Sequence, residues 1–224
     1  MQPVARVSTC YPDKFGAPRQ SGLVPDARAR LVFEPPFRHP DAVRGLEGFS
    51  HLWLVWVFSE NVDKGWSPTV RPPRLGGNVR MGVFATRAPF RPNPIGLSAV
   101  RLERVELHPL DGPVLHLSGV DLVDGTPILD IKPYVPLADC IPEASEGFTA
   151  VPYERLDVEI PESFGGSMSP EERSALEDTR PQYQDDPERV YGLSFSGWEV
   201  KFKVKDKRLR VLSLERRRSG PGLF

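Results

Sequence analysis

HLWLVWVF, residues 51–58, is the segment from which the fold can be worked out. Neighbouring side chains of a strand point to opposite faces of a sheet, and this run is apolar at every position after His51. Such a run is typical of a strand that is covered on both sides. We therefore predict that residues 51–58 form a strand at the centre of the core, in which His51 is a hydrogen-bonded core residue rather than a catalyst.

On both sides of this run, short apolar segments are separated by turn residues, as expected for further strands. The chain contains 25 prolines and 19 glycines, a composition that disfavours long helices. Six strands at fairly regular spacing predict a closed or nearly closed sheet, and so a mainly β fold with an N-terminal β-barrel-like domain. The additional predicted strands are residues 28–33, 79–85, 97–107, 114–122 and 127–135.

A change of composition after Ile141 predicts a second, smaller domain. Residues 142–166 are rich in Pro, Glu and Ser, and SPEE at 169–172 is a capping box with proline at the first helical position. Residues 197–215, GWEVKFKVKDKRLRVLSLE, predict a hairpin with one apolar and one lysine-bearing face. We therefore divide the chain into a barrel domain at 1–142 and a small α+β domain at 143–224.

The overall composition is typical of a soluble globular protein, with 39% hydrophobic and 26% charged residues. No apolar run is long enough to span a bilayer, and the N-terminus has none of the features of an export signal, so we expect a cytoplasmic protein. Cys10 and Cys140 lie far apart without metal-ligand spacing. We predict idle or buried thiols and no metal site.

Basic charge is concentrated in one region, although the net charge of the chain is only −1. Residues 64–102 contain no Asp or Glu. Such a concentration is typical of surfaces that bind phosphate-bearing partners, and the alternative is ion pairing with carboxylates elsewhere or across a subunit contact. The basic residues of the region are Lys64, Arg71, Arg74, Arg80, Arg87, Arg91 and Arg101.

FATRAPFRPNPIG, residues 84–96, places Arg87 and Arg91 among three prolines. Each proline fixes its own φ and biases the preceding residue toward extended conformations, which predicts a stiff loop. A stiff loop has already lost much of the chain entropy that binding would otherwise cost. The loop therefore predicts a preformed anion site.

Four longer blocks carry a resemblance to a known family. They are TCYPDKFGAPRQSGLVPDARA (9–29), LEGFSHLWLVWVF (46–58), GWSPTVRPPRLGGNVRMGVFATRAPFRPNPIGLSAV (65–100) and LSGVDLVDGTPILDIKPYVPLAD (117–139). They closely resemble the TsaA-like family, whose characterised bacterial members are TrmO-type tRNA methyltransferases. The resemblance implies a homodimer that uses S-adenosyl-L-methionine to methylate N6 of N6-threonylcarbamoyladenosine at position 37 (t6A37) in the tRNA anticodon loop. No GxGxxG nucleotide fingerprint is present, so the donor is implied by the resemblance alone.

The resemblance also implies the residues of the donor site. Arg87 would bind the carboxylate of the donor, backbone groups of Ser118 and Gly119 would approach its adenine or ribose, and Asp121 would face its cationic end. The implied site residues are Gln20, Ser21, Gly22, Ser59, Glu60, Arg87, Leu97, Ser118, Gly119, Val120 and Asp121.

ILDIKPY, residues 128–134, is the candidate for catalysis, because Asp130, Lys132 and Tyr134 share one face of a strand. The lone pair of an ureido nitrogen is delocalised, so a base that removes the N6 proton would assist methylation, and Asp130 is the candidate. A purely structural Asp130–Lys132 ion pair is the alternative. Alignment of donor and acceptor by itself supplies roughly 7 to 11 kcal/mol of the barrier in favourable cases.

EDTRPQYQDDPERVYGL, residues 177–193, is similar to the DPRPxY block at the C-terminus of the family. Anticodon-loop bases are bound by aromatic stacking and by cations on the backbone, so this block and the lysine face predict tRNA contacts. Tyr183 fits a small core equally well, and the lysines alternatively protect an edge strand. The predicted tRNA-binding residues are Arg91, Arg180, Tyr183, Arg189, Lys201 and Lys203.

Two other functions remain as alternatives from the sequence. One is a non-catalytic module that binds a nucleotide or RNA on the same barrel. The other is a hydrolase that uses Asp130 and Lys132, although no nucleophile elbow or metal cluster accompanies them.

Overall fold

Strands make up most of the regular structure in the computed structural model, which describes residues 1–14, 16–150, 156–165, 186, 188–206 and 208–216. The strands are β1 (Ala5–Thr9), β2 (Ala29–Phe33), β3 (His51–Val57), β4 (Thr69–Val70), β5 (Met81–Gly82), β6 (Ile95–His108), β7 (Gly112–Ser118), β8 (Pro127–Pro133), β9 (Asp157–Glu159), β10 (Tyr191–Phe195), β11 (Trp198–Lys205) and β12 (Arg208–Arg216).

Helical structure in the described residues is limited to short turns. The two α-helical turns are α1 (Pro136–Asp139) and α2 (Glu162–Gly165). The 3-10 turns are Pro35–Phe37, Pro40–Val43, Leu46–Gly48, Ser59–Lys64, Pro73–Leu75, Val83–Ala85 and Gly147–Thr149. Among these residues, no helix has the length and apolarity needed to cross a bilayer.

Six strands close into a barrel in the order β1-β2-β7-β6-β3-β8, with every neighbouring pair antiparallel. Alternate side chains of each strand point inward, and those of Leu31, Leu52, Leu54, Leu115 and Ile128 are fully buried in the interior. The mainly β fold and the closed sheet predicted from the sequence are confirmed.

Of the six strands predicted for the barrel one is wrong, and one real barrel strand was missed; outside the barrel, β4, β9 and β10 were not predicted either. Residues 79–85 contain only the two-residue β5, which pairs with β4 outside the barrel, because a 3-10 turn at Val83–Ala85 ends the extended backbone. The sixth barrel strand is instead β1, which was not predicted. Its five residues pair with β2 and β8 and close the sheet.

Only one face of β3 lies in the core, which corrects the prediction for HLWLVWVF. Leu52 and Leu54 are completely buried, whereas Trp53 and Val55 are partly exposed on the outside of the barrel. His51 is exposed rather than buried, and its Nδ1 lies 2.9 Å from the hydroxyl of Ser50. The barrel is a single layer here, so the outer face of its strands has no second sheet to cover it.

The second sheet has the order β10-β11-β12-β9, with β9 parallel to β12. The predicted hairpin is present as β11 and β12, and the apolar side chains of β11 from Trp198 to Val204 are buried in alternation. Lys201 and Lys203 lie on the opposite face. The helix predicted after residue 169 lies outside the described residues.

The segment between β1 and β2 packs against the second sheet. Tyr11, Val24 and Ala27 belong to the same buried cluster as the apolar face of β11. The amide of Ser196 also donates to the carbonyl of Cys10 at 2.8 Å. Contacts with both sheets therefore hold the loop at residues 10–27 in place.

Candidate active site

A cavity of about 410 Å³ opens at the end of the barrel where β3 finishes and β6 begins. The two strands are antiparallel, so the last residue of β3, Val57, pairs with the first of β6, Ile95. A volume of this size is typical of small-molecule sites. The side chains discussed below that line it are Lys14, Arg19, Gln20, Trp56, Phe58, Ser59, Glu60, Arg87, Arg91, Leu97 and Asp121.

The proline loop above the cavity is held by one of its own arginines. Arg91 donates from Nη1 to the carbonyls of Val83 at 3.0 Å and Thr86 at 2.7 Å, and its guanidinium lies 5.3 Å from the ring centre of Phe84. The amide of Phe58 also donates to the carbonyl of Pro94 at 2.9 Å. These contacts give the stiff loop expected from the prolines, with Arg91 as its brace.

Arg87 lines the same cavity, and its hydrogen-bond partner there is the uncharged side chain of Gln20. Its Nη1 donates to the amide oxygen of Gln20 at 2.8 Å, and its side chain is otherwise exposed. Neither Arg87 nor Arg91 forms an ion pair with a carboxylate in the part of the chain that the structure describes. An exposed guanidinium at a cavity rim, positioned by a neutral amide, is suited to binding an anion.

A hydrogen-bonded chain connects the aromatic wall of the cavity to its acidic residue. Nε1 of Trp56 donates to the Ser98 hydroxyl at 3.0 Å, and that hydroxyl donates to Oδ1 of Asp121 at 2.7 Å. Burial raises the pKa of Asp121, and the hydrogen bonds from Ser98 and from backbone amides, together with the charge of Arg87, partly offset this rise. The orientation of the Asp121 carboxylate is thereby fixed.

Gly96 allows the indole of Trp56 to occupy its position. A Cβ at residue 96 would lie 2.3 Å from Cε2 of Trp56, closer than any real contact. Trp56 also packs against Phe58, with ring centres 4.2 Å apart and planes inclined by 60°. The cavity therefore has an aromatic wall whose placement requires a glycine on the neighbouring strand.

Four residues of this wall were not predicted from the sequence: Trp56, Phe58, Gly96 and Ser98. Two signals point to them: a glycine inside a strand pattern often marks close approach of a neighbour, and a tryptophan in a buried strand needs a partner for its N–H group. Neither signal identifies the partner, because Ser98 lies 42 residues from Trp56 in the sequence.

Two segments expected to bind the donor are adjacent. The amide of Gly22 donates to the carbonyl of Gly119 at 2.9 Å, and Gly119 has a φ of +70° that favours glycine. Ser118 directs its hydroxyl to Glu103 and Val120 is fully buried in the barrel, so these side chains do not line the cavity.

Of the expected donor-binding residues, six line the cavity directly. They are Gln20, Ser59, Glu60, Arg87, Leu97 and Asp121. The other five are outside its lining, in the two adjoining segments: Ser21, Gly22, Ser118, Gly119 and Val120.

Asp130 and Lys132 lie on the outer face of the barrel and do not line the cavity. Nζ of Lys132 is 2.9 Å from Oδ2 of Asp130, so the ion pair considered from the sequence is present. Val55 pairs with Asp130 on one side and with Leu97 on the other. At about 4.8 Å per strand, Asp130 is thus roughly 10 Å from the Leu97 backbone at the cavity rim.

Tyr134 continues this outer face beyond the end of β8. Its ring centre lies 5.5 Å from that of Trp53 and 6.3 Å from that of His51. The amide of Tyr134 donates to the carbonyl of His51 at 2.9 Å, which fixes the backbone there.

The described members of the predicted tRNA-binding set in the second domain lie on and beside β10 and β11. Nζ of Lys203 donates to Glu188 at 2.8 Å, so its charge is compensated, and the guanidinium of Arg189 lies 5.6 Å from the ring centre of Tyr191. Lys201 is exposed. Arg180 and Tyr183 lie outside the described residues. The roles assigned to these residues from the sequence stay predictions.

The structure is a β-barrel protein whose cavity has side chains chemically suited to a small molecule with an anionic group, a flat apolar group and a cationic group. Arg87 suits the first, the Trp56–Phe58 wall the second and Asp121 the third.

Comparisons with known proteins identify the family. The family model of the tRNA-methyltransferase O N-terminal domain matches residues 6–140, and that of the TrmO C-terminal domain matches residues 174–217. The chain therefore belongs to the TrmO family, which confirms the resemblance carried by the four sequence blocks.

Individual relatives agree with this assignment. The tRNA (adenine(37)-N6)-methyltransferase of Escherichia coli (strain K12) is 43% identical over 92% of this chain and 94% of its own. A protein of Pyrococcus abyssi named "probable S-adenosyl-L-methionine-binding protein" is 37% identical over 62% of this chain and 69% of its own. The crystal structure of TrmO from Pseudomonas aeruginosa superimposes with a TM-score of 0.76 at 36% identity, covering 96% of each chain.

Proposed function

We propose that this protein is an S-adenosyl-L-methionine-dependent tRNA methyltransferase that methylates N6 of adenine 37, and that its acceptor is t6A37. The observation that carries the proposal is a cavity with matched anion, aromatic and cation sites in a chain of the TrmO family. A hydrolase does not account for this combination, and the curated relatives named tRNA (adenine(37)-N6)-methyltransferase count against a non-catalytic module.

The residues of the cavity fit the donor group by group. Arg87, positioned by Gln20, would hold the donor carboxylate, and the wall of Trp56 and Phe58 would cover its apolar part. Asp121 would face the positive charge of the donor, which would offset the cost of burying its carboxylate. The donor would supply a methyl group bound to a sulfonium: the carbon–sulfur bond breaks as the bond to nitrogen forms, and the sulfur leaves as a neutral thioether that needs no acid.

Asp130 is proposed as the base that accepts the N6 proton. Lys132 holds its carboxylate on the outer face of β8, about two strand spacings from Leu97 at the cavity rim. Methyl transfer and proton removal take place at the same nitrogen, so N6 would have to lie over Val55, between Leu97 at the cavity rim and Asp130, with the donor methyl group and the Asp130 carboxylate each within about 3 Å of it. The rings of Trp53 and Tyr134 lie on the same outer face, where they would stack on the acceptor base.

We further propose that the two domains have different roles. Residues 1–142 bind the donor and catalyse the transfer, and residues 143–224 contact the tRNA. Following the family resemblance, we include a homodimer that acts in the cytoplasm on tRNA and needs no metal ion. Light scattering at working concentration measures the oligomeric state.

The deciding experiment combines calorimetry with S-adenosyl-L-methionine and mass analysis of nucleosides from t6A37-containing tRNA after incubation with enzyme and donor. We expect donor binding and one added methyl group on t6A. Donor binding without methyl transfer would favour the non-catalytic module. Absence of S-adenosyl-L-methionine binding in the calorimeter would refute the proposed function.

A further inference from the structure

A second, larger depression of about 1820 Å³ adjoins the donor cavity. The two share Lys14, Arg19, Gln20 and Arg87, so they form one continuous surface. Its walls are the β4–β5 ribbon, the proline loop and the segment 145–149. We refer to this depression as the basic groove.

The charge of the basic groove is strongly positive. Arg71 and Arg80 are exposed, and neither makes a hydrogen bond or ion pair within the described chain. Arg74 donates to the carbonyl of Thr149 at 2.7 Å and so ties the segment 145–149 to the wall. Glu146 is the one acidic residue among the described residues that line the groove. Exposed arginines without internal partners are available for phosphate groups.

Two aromatic side chains are exposed in the same groove. Phe84 is 72% exposed and Phe90 is 38% exposed, although both belong to a loop that is held rigidly. The amide of Ser67 donates to the carbonyl of Phe90 at 3.2 Å, which anchors the loop beside the ribbon. A rigid, exposed aromatic ring among arginines is the arrangement that stacks an unpaired base.

We infer that the basic groove binds the single-stranded nucleotides that flank the target base, with Phe84 stacking on a base and with Arg71 and Arg80 binding backbone phosphates. The inference rests on the proposed function. Single-stranded RNA is favoured over duplex because paired bases do not expose their faces to Phe84. A nucleotide in the groove also lies next to Arg87, so its neighbour along the strand reaches the donor cavity.

The test uses the full-length protein, a synthetic anticodon stem-loop RNA containing t6A and fluorescence anisotropy over a series of salt concentrations. For the double variant Arg71→Ala/Arg80→Ala we expect RNA affinity to fall at least about tenfold, and the slope of log K against log salt to become shallower by about 0.7 for each lost phosphate contact. Donor affinity, measured by calorimetry, should remain at the wild-type value.

Phe84 gives an independent readout. Phe84→Ala and Phe84→Leu should weaken RNA binding by about 5- to 100-fold with an unchanged salt slope, and Phe84→Trp should restore it. The matched controls are Arg28→Ala, an exposed arginine outside the groove, and Leu110→Ala, 83% exposed on the β6–β7 turn.

The outcomes separate this inference from the proposed function. If wild-type protein methylates tRNA while the groove variants bind RNA like the two controls, the groove inference is wrong. The same conclusion follows if a duplex RNA of equal length competes as well as the stem-loop. If wild-type protein binds donor but never methylates tRNA, the proposed function fails whatever the groove variants do.

Discussion

Asp121, proposed to face the cationic end of the donor, is buried at a cost to stability. Burial raises the pKa of this carboxyl, so the folded protein holds a proton over a pH range in which the unfolded chain has released it. Its contribution to stability therefore decreases as pH rises from the ordinary aspartate pKa through the raised one. A ligand with a positive charge would recover this cost on binding.

At neutral pH we expect the melting temperature of Asp121→Asn to equal or exceed that of wild type. In acid, where the wild-type carboxyl is protonated, the difference in melting temperature should disappear. Donor affinity should fall, because the buried negative charge is gone while the acceptor for the Ser98 hydroxyl remains. Thermal unfolding across the pH range and calorimetry with the donor measure the two effects. Asp26→Asn, at an exposed position, is the control. A melting temperature clearly below wild type at neutral pH would contradict the reasoning.

Gly96 sets the position of the aromatic wall. Gly96→Ala places a methyl group against the indole of Trp56, which must move and give up its hydrogen bond to Ser98. We expect a loss of about 1–3 kcal/mol in the free energy of unfolding and weaker donor binding. Denaturant unfolding measures the loss. The control is Gly82→Ala, since Gly82 has an ordinary φ of −58° and open space around it.

Among elements, the proline loop combines Arg91, which braces it, with Arg87, the side chain proposed to bind the donor. Arg91→Ala removes two hydrogen bonds from the loop, so amide hydrogen exchange across residues 84–94 should accelerate while exchange in β3 and β6 stays slow. Arg87→Ala should instead leave exchange unchanged and weaken donor binding about 10- to 100-fold, as expected for a lost hydrogen bond to a charged group. Identical exchange patterns in the two variants would refute this difference.

The outer face of β8 is the element assigned to catalysis. Asp130→Asn keeps the size of the side chain and its place beside Lys132, but removes the base. We expect single-turnover methyl transfer to slow by about 10²- to 10⁴-fold with donor affinity unchanged. Ala99→Ser on β6, which pairs with Trp53 rather than with Asp130, is a control on a neighbouring strand. A rate within twofold of wild type would leave Asp130 with a structural role.

The sequence predicts the positions of strands better than it predicts the side-chain contacts between them. Alternation and turn residues located five of the six barrel strands, because those signals are local. β1 was missed because its sequence, ARVST, lacks an apolar run such as the LVF of the equally short β2. The prediction for residues 79–85 was wrong because a turn at Val83–Ala85 interrupts an apolar run. The hydrogen-bonded chain from Trp56 through Ser98 to Asp121 was also missed, since it joins three segments that only the pairing of β3, β6 and β7 brings together.

At the scale of the whole molecule, the loop that joins β1 and β2 shares a hydrophobic cluster with the second sheet. Tyr11 is 1% exposed and packs with the apolar face of β11. Tyr11→Ala should therefore cost about 3–5 kcal/mol and lower the unfolding midpoints of both sheets together, in one calorimetric transition. Leu110→Ala serves as the control. Two transitions, of which Tyr11→Ala moves only one, would show that the sheets unfold independently.

This shared cluster has a consequence for fragments of the protein. Cleavage near residue 142 would separate Tyr11, Val24 and Ala27 from β11, which covers them. Both fragments would then expose hydrophobic patches. A protease that nicks the connecting segment would thus produce halves prone to aggregate, unless they stay associated through that very patch. The loop carrying Gln20 would lose its outer support in the same event, so methyl-donor affinity in nicked samples reports whether the halves have remained together.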